Sequence, residues 1–154
     1  MNNAQCLVER LTQKGLTLGS IESFTGGLFA KSITDISGSS KVFKGALVTY
    51  SKEAKINLLG IPADYIAEHG VVSYEVCQQM AIKGQKVLGV DVAVAFTGNA
   101  GPEVSEDGGN VGELYIAIVY KGQVWPIPLH VELGREKNRE YAVNAAINAI
   151  LSII

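Results

Sequence analysis

Three observations in the 154-residue sequence predict an α/β fold, a three-layer α/β/α sandwich around a mixed, partly parallel sheet. Helical and strand patterns alternate as far as residue 97. The run DVAVAFT at 91–97 is almost continuously apolar, as a strand covered on both faces must be. Two adjoining strand patterns and one closing helix then follow, an order that gives a sheet only part of whose strands are parallel.

Each element has its own signal. Residues 3–14 place Cys6, Leu7 and Leu11 on one helical face, with Gly15 where a C-terminal cap belongs. Leu16 to Ile21 reads as a short strand, and Glu22-Ser23-Phe24-Thr25-Gly26-Gly27 turns the chain into the helical pattern LFAKSITDI. Val42 to Tyr50 is apolar and β-branched enough for a strand, although Gly45 interrupts it. SKEAKINLLG then predicts a short helix stopped by Gly60, and Pro62 suits the first turn of another. Ser73 is placed as an N-cap for a helix whose apolar stripe runs through Val76, Cys77, Met80, Ala81, Gly84, Val87 and Leu88. After the strand at 91–97, residues 98–112 hold five glycines, three acids and Pro102, which predicts a loop. LYIAIVY and QVWPIPLHVEL, joined by Lys121-Gly122, form a strand pair, and Pro126 and Pro128 push the second strand to a sheet edge. Val143, Ile147, Ile150, Leu151 and Ile154 recur at helical spacing over 136–154.

The length is that of about one ordinary domain, so a single domain over 1–154 is expected. Thirteen basic against fifteen acidic residues give a net charge of −2, which argues against broad electrostatic binding of nucleic acid or an anionic membrane. Met1 to Gly15 has no basic segment leading into an apolar one, and no run approaches the roughly 18 apolar residues of a membrane span. Cys6 and Cys77 belong to no CxxC or Cys/His cluster, so no zinc site or disulfide framework is signalled. A soluble, cytoplasmic protein is the expectation. Glycine is in excess: there are 17, and Gly26, Gly27, Gly38, Gly98, Gly101, Gly108, Gly109 and Gly112 fall within 23–40 and 97–112.

Four groups of residues could carry chemistry. Ser23 lies at a strand-to-helix junction, followed by Thr25, Gly26 and Gly27. It either presents a nucleophile beside bare N–H groups or caps the helix. Tyr50, Lys52 and Lys55 lie where a strand runs into a helix. With only two histidines in the chain, a buried neutral lysine could serve such a serine as base, and the spacing leaves Lys52 and Lys55 as equals. Thr97, Gly98 and Gly101 stand beyond the C-terminal end of a central strand, where open α/β sheets bind ligands, unless the segment is only a surface loop. Arg135 and Arg139, one helical turn apart, either grip an anion or pair with Glu136 and Glu140. Neither His69 nor His130 has partners at ligand spacing.

Taken together in this order, ESFTGG at 22–27, TDISGSSKVFKGALVTYSKEAKINLLG at 34–60, HGVVS at 69–73 and TGNAGP at 97–102 resemble the CinA C-terminal domain family. The resemblance continues through VGELYIAI and the Arg135 region, over essentially the whole chain. It implies an α/β/α sandwich that forms homo-oligomers and needs no metal or other cofactor. Active members are nicotinamide-mononucleotide (NMN) deamidases of the PncC type, which hydrolyse the carboxamide of NMN to give nicotinate mononucleotide and ammonia. The family's nucleophilic serine falls on Ser23, its tyrosine on Tyr50 and its lysine on Lys55, which selects Lys55 over Lys52. The threonine opening the TGxAGP motif is Thr97, and the arginine of the family's Gly-Asp-Arg falls on Arg135, here in Gly134-Arg135. On this reading Ser23, Tyr50 and Lys55 are catalytic, and Thr25, Gly26, Gly27, Thr97, Gly98, Gly101 and Arg135 bind a small nucleotide. Phe24 and Glu103 depart from the family pattern. They keep open the alternative of a catalytically silent CinA-like module that binds a nucleotide or phosphate. The length matches the stand-alone form of the family.

Overall fold

The computed structural model describes residues 2–104 and 109–154, which leaves Gly108 outside it. Six helices and five strands follow one another among the described residues: α1 Asn3–Lys14, β1 Leu18–Glu22, α2 Leu28–Thr34, β2 Phe43–Val48, α3 Lys52–Leu59, α4 Ala63–His69, α5 Tyr74–Leu88, β3 Val92–Gly98, β4 Glu113–Tyr120, β5 Gln123–His130 and α6 Arg135–Ile153. The expected elements are all present. Val42 caps a 3-10 turn at Ser39–Lys41, and Thr49 and Tyr50 leave the sheet, so β2 is shorter than the predicted strand at both ends.

The sheet order is β2-β1-β3-β4-β5. β1 pairs in parallel with both β2 and β3, while β4 and β5 add on antiparallel, so the sheet is mixed as expected. Side chains of β3 alternate between two cores, as the two-residue period of a strand requires. Val92, Val94 and Phe96 face α1, α2 and α6, whereas Ala93 and Ala95 face α3, α4 and α5. The small residues on the second face let α5 lie close to the sheet. Gly84 of α5 sits over Ile21 so tightly that an added Cβ would come within 2.2 Å of its side chain. Among the described residues no helix is long and apolar enough to cross a membrane.

Topology decides where a site can form. The chain runs outward from β1 to β2 and then returns to β3 on the other side of β1, so the C-terminal ends of β1 and β3 flank a switch point. Ser23 follows β1, Thr49 follows β2, and Thr97 and Gly98 finish β3 at this one edge. Because β4 and β5 are antiparallel in turn, β5 ends at the same edge, with His130 opposite Glu113, and delivers the start of α6 there. Residues far apart in sequence therefore meet without any long loop reaching across the molecule.

Candidate active site

A cavity of about 530 Å³ opens at this edge, within the range usual for small-molecule sites. Ser23, Lys55, Thr97 and Gly98 line it, with Tyr50, Gly101 and Arg135. Ser23 is held by its main chain: its N–H donates to the Phe96 carbonyl at 3.1 Å, and its carbonyl accepts from Gly26 at 3.0 Å. Its hydroxyl does not cap α2. The Lys55 Nζ stands 3.0 Å from Ser23 Oγ instead.

Lys55 reaches this point because Ser51 caps α3, its Oγ accepting from the Ala54 N–H at 3.0 Å, and the helix turns Lys55 inward while Lys52 stays exposed. Lys55 is 1% exposed, and its Nζ also donates to the Thr49 carbonyl at 2.7 Å. Among the described residues no carboxylate forms an ion pair with it. Burial pushes the Lys55 ammonium down to about 8, against a smaller opposing contribution from Cys77. A lysine so placed carries a substantial neutral fraction near pH 8 and can take a proton from the adjacent hydroxyl.

The glycine-rich turn after Ser23 is arranged differently from expectation. The amides of its glycines do not lie bare. Glu22 is fully buried; its Oε1 accepts from the N–H of Gly27 at 3.1 Å and of Phe29 at 3.0 Å, and its Oε2 from Ala30 at 3.0 Å and from Ser20 Oγ at 2.9 Å. Gly26 donates to Ser23, and an added Cβ there would meet the Arg139 guanidinium at 3.0 Å. The Thr25 carbonyl accepts from Arg139 at 2.9 Å, and the buried Thr25 hydroxyl has no partner among the described residues. Thr25, Gly26 and Gly27 therefore do not line the cavity. The physical reason is that the carboxylate one residue before Ser23 already satisfies the N–H groups of Gly27, Phe29 and Ala30 at the start of α2, which are then not available to an anionic ligand. Among the described residues of this turn, the N–H groups of Phe24 and Thr25 have no partner, and Phe24 lines the cavity.

Thr97, Gly98 and Gly101 do line it. Thr97 Oγ1 donates to the Val71 carbonyl at 3.0 Å. Gly98 passes so close to β4 that a Cβ would come within 2.8 Å of the Glu113 carbonyl. Gly101 adopts φ +94°, and the bond from Gly101 to Pro102 is cis. Asn138 of α6, fully buried, donates to the Ala100 carbonyl at 3.0 Å and accepts from the Leu133 N–H at 2.9 Å, bracing the segment from behind.

Arg135 donates to the Gly101 carbonyl at 2.7 Å and to the Tyr50 hydroxyl at 3.1 Å. Tyr50 is 61% exposed at the cavity mouth and belongs with Arg135; among the described residues no hydrogen bond joins it to Ser23 or Lys55. The structure thus gathers two pairs, Ser23–Lys55 inside and Tyr50–Arg135 at the mouth, where Glu103 also lies. Sequence reasoning missed Glu22 and Asn138. An acid in the buried strand pattern LGSIE was a signal for the first, since a buried carboxylate must find donors.

The family model of the CinA C-terminal domain matches residues 2–154. The chain belongs to the CinA C-terminal domain family. A CinA-like protein of Flavobacterium psychrophilum is 41% identical over 91% of this chain and 34% of its own length, and one of Geobacter sulfurreducens is 49% identical over 76% of this chain and 29% of its own. The chain spans about a third of the length of these curated CinA relatives. A crystal structure of a competence-damaged protein (CinA) superfamily protein from Escherichia coli superposes with a TM-score of 0.95 at 29% identity, covering 99% of this chain and 89% of that one. One from Agrobacterium tumefaciens, a competence/damage inducible protein, gives 0.90 at 31% identity, covering 99% and 96%. The CinA fold and the open α/β architecture of this chain are the same.

Proposed function

We propose that the chain is an amidohydrolase that converts NMN to nicotinate mononucleotide and ammonia. The observation that carries the reading is the desolvated Lys55 amine 3.0 Å from the Ser23 hydroxyl inside a CinA-family cavity of nucleotide size. Neutral Lys55 takes the Ser23 proton as Oγ attacks the carboxamide carbon. The oxyanion that forms needs donors, and the unpartnered N–H of Phe24, which lines the cavity next to Ser23 in the chain, is a candidate; one such donor is typically worth about 3 kcal/mol of transition-state stabilisation. Lys55 passes the proton to the departing nitrogen, ammonia leaves, and water then cleaves the nicotinyl ester to release the acid and restore Ser23. Arg135 receives the phosphate at the mouth, and Tyr50 fixes its guanidinium there, while Thr97, Gly98 and Gly101 shape the wall beside the ribose.

A substitution of Ser23 by alanine removes the nucleophile and is expected to cut ammonia release from NMN more than about 10³-fold. An alanine enzyme with undiminished release would sink the assignment. Glu103, which lines the same cavity, favours a second reading, a module that binds a nucleotide without turning it over, because a carboxylate in the cavity lining weakens the hold on phosphate. Stabilisation of the protein by NMN in a thermal melt, with no ammonia produced, would decide for that reading.

A further inference from the structure

Glu22 ends β1 immediately before Ser23, and its carboxylate holds a negative charge fully out of water with four donors and, among the described residues, no cation paired to it. Such an arrangement is worth keeping only if the donors are fixed, because a buried carboxylate with a missing partner is strongly unfavourable. Three of the donors are the N–H groups of Gly27, Phe29 and Ala30 at the start of α2, whose N-cap residue Gly27 offers no side chain of its own. Residues 23–26 are consequently pinned at both ends by one residue, through the peptide bond to Ser23 and through the carboxylate beyond Gly26. The Glu22 carbonyl in turn accepts from the Thr49 N–H at 2.8 Å, and the Thr49 carbonyl is the acceptor that holds Lys55 Nζ. One residue is thus tied to both members of the inner pair.

We infer that Glu22 is a positioning residue for the nucleophile: its buried carboxylate sets the turn that puts Ser23 Oγ within 3.0 Å of Lys55 Nζ. The inference rests on the reading of Ser23 and Lys55 as a catalytic pair. It assigns Glu22 no contact with substrate, so its effect falls on the chemical step and not on binding.

The experiment compares wild type with Glu22→Gln, which keeps the shape but turns donors toward N–H groups, and with Ser20→Ala, a milder change that removes one of the four hydrogen bonds. The melting temperature, kcat and KM for NMN, and the rate of p-nitrophenyl acetate hydrolysis with Ser23→Ala as blank are measured well below the lowest melting temperature. Glu22→Gln is expected to lower kcat between about ten- and a hundred-fold, since small misplacements of reacting groups cost that much. KM stays within about two-fold, and the ester rate falls by a similar factor. Ser20→Ala lowers both rates by a smaller factor and serves if Glu22→Gln fails to fold. A variant that melts earlier with kcat unchanged, or that raises KM alone, would overturn the inference and leave Glu22 a helix cap. If wild type releases no ammonia from NMN but hydrolyses the ester through Ser23, the substrate assignment fails, and the Glu22 inference stands or falls on the ester rates. If Ser23 supports neither reaction, both fall.

Discussion

Residues 23–27 and 97–102 each carry two glycines, and each leaves the C-terminal end of a parallel strand, β1 and β3 respectively. The first segment turns its polar main chain inward. Glu22 takes the N–H groups of Gly27, Phe29 and Ala30, and Arg139 takes the Thr25 carbonyl. The second turns toward the cavity and is held by Asn138 on Ala100 from behind and by Arg135, at the cavity mouth, on Gly101. Similar composition therefore yields a rigid support for the Ser23 hydroxyl in one case and a cavity wall in the other. What separates them is one buried acid. A glycine-rich turn binds an anion only when the protein has not already supplied one.

Substitution of Lys55, which bonds Ser23 and lines the same cavity as residues 97–102, tests this contrast most severely. Lys55→Met should abolish ammonia release, by more than about 10³-fold, while stabilising the fold at pH 7 by on the order of 1–3 kcal/mol in urea denaturation, because a charge is no longer held out of water. The sign follows from proton linkage. Burial lowers Lys55 to about 8 in the folded protein against 10.5 for a lysine in water, so between these values the unfolded chain binds more protons and wild type gains stability as pH rises. The advantage of Lys55→Met should accordingly shrink from pH 8 to 10.5, and wild-type kcat/KM should climb with pH through about 8 as the amine becomes neutral. A gap that stays constant over that range would show that Lys55 is not desolvated as described.

Arg135→Ala addresses the open segment. Loss of a charge-assisted contact to phosphate should raise KM for NMN between about ten- and a hundred-fold with little change in kcat. A fall in kcat with KM unchanged would place Arg135 with the chemistry instead. The smallest and most discriminating comparison pairs Gly26→Ala with Gly101→Ala. Both glycines have positive φ, +61° and +94°, so each alanine should cost about 1–2 kcal/mol measured by denaturation. Only Gly101→Ala should also raise KM, since an added Cβ comes within 2.7 Å of Val111 behind the cavity wall. Equal changes in KM for the two would erase the distinction between the segments.

Much of the fold was legible because its signals are local. The stripe of α5, the apolar run of β3 and the two-residue turn at Lys121-Gly122 each depend on neighbours in the chain. The inner pair was half legible from spacing: it marked Ser23 and two lysines, the family resemblance selected Lys55, and the phase of α3, set by the Ser51 cap, gives the physical reason that Lys55 is buried and Lys52 exposed. Contacts such as Tyr50 with Arg135, 85 residues apart, were not legible, because they arise where β2 and α6 are brought to one edge by the sheet order. Glu22 was hidden for another reason. An acid beside a serine looks like surface polarity until the strand before it is known to be buried throughout.

The hairpin of β4 and β5 closes with Tyr120 opposite Gln123, so their main chains bond to each other there and at every second pair beyond. Residues 124, 126, 128 and 130 then direct their main-chain nitrogens to the open side of β5. Two of these four are Pro126 and Pro128, which have no N–H to give. A foreign strand approaching this edge would find the two middle donors of the four missing, so the sheet is protected there against templated, amyloid-like growth by the same prolines that mark β5 as its border.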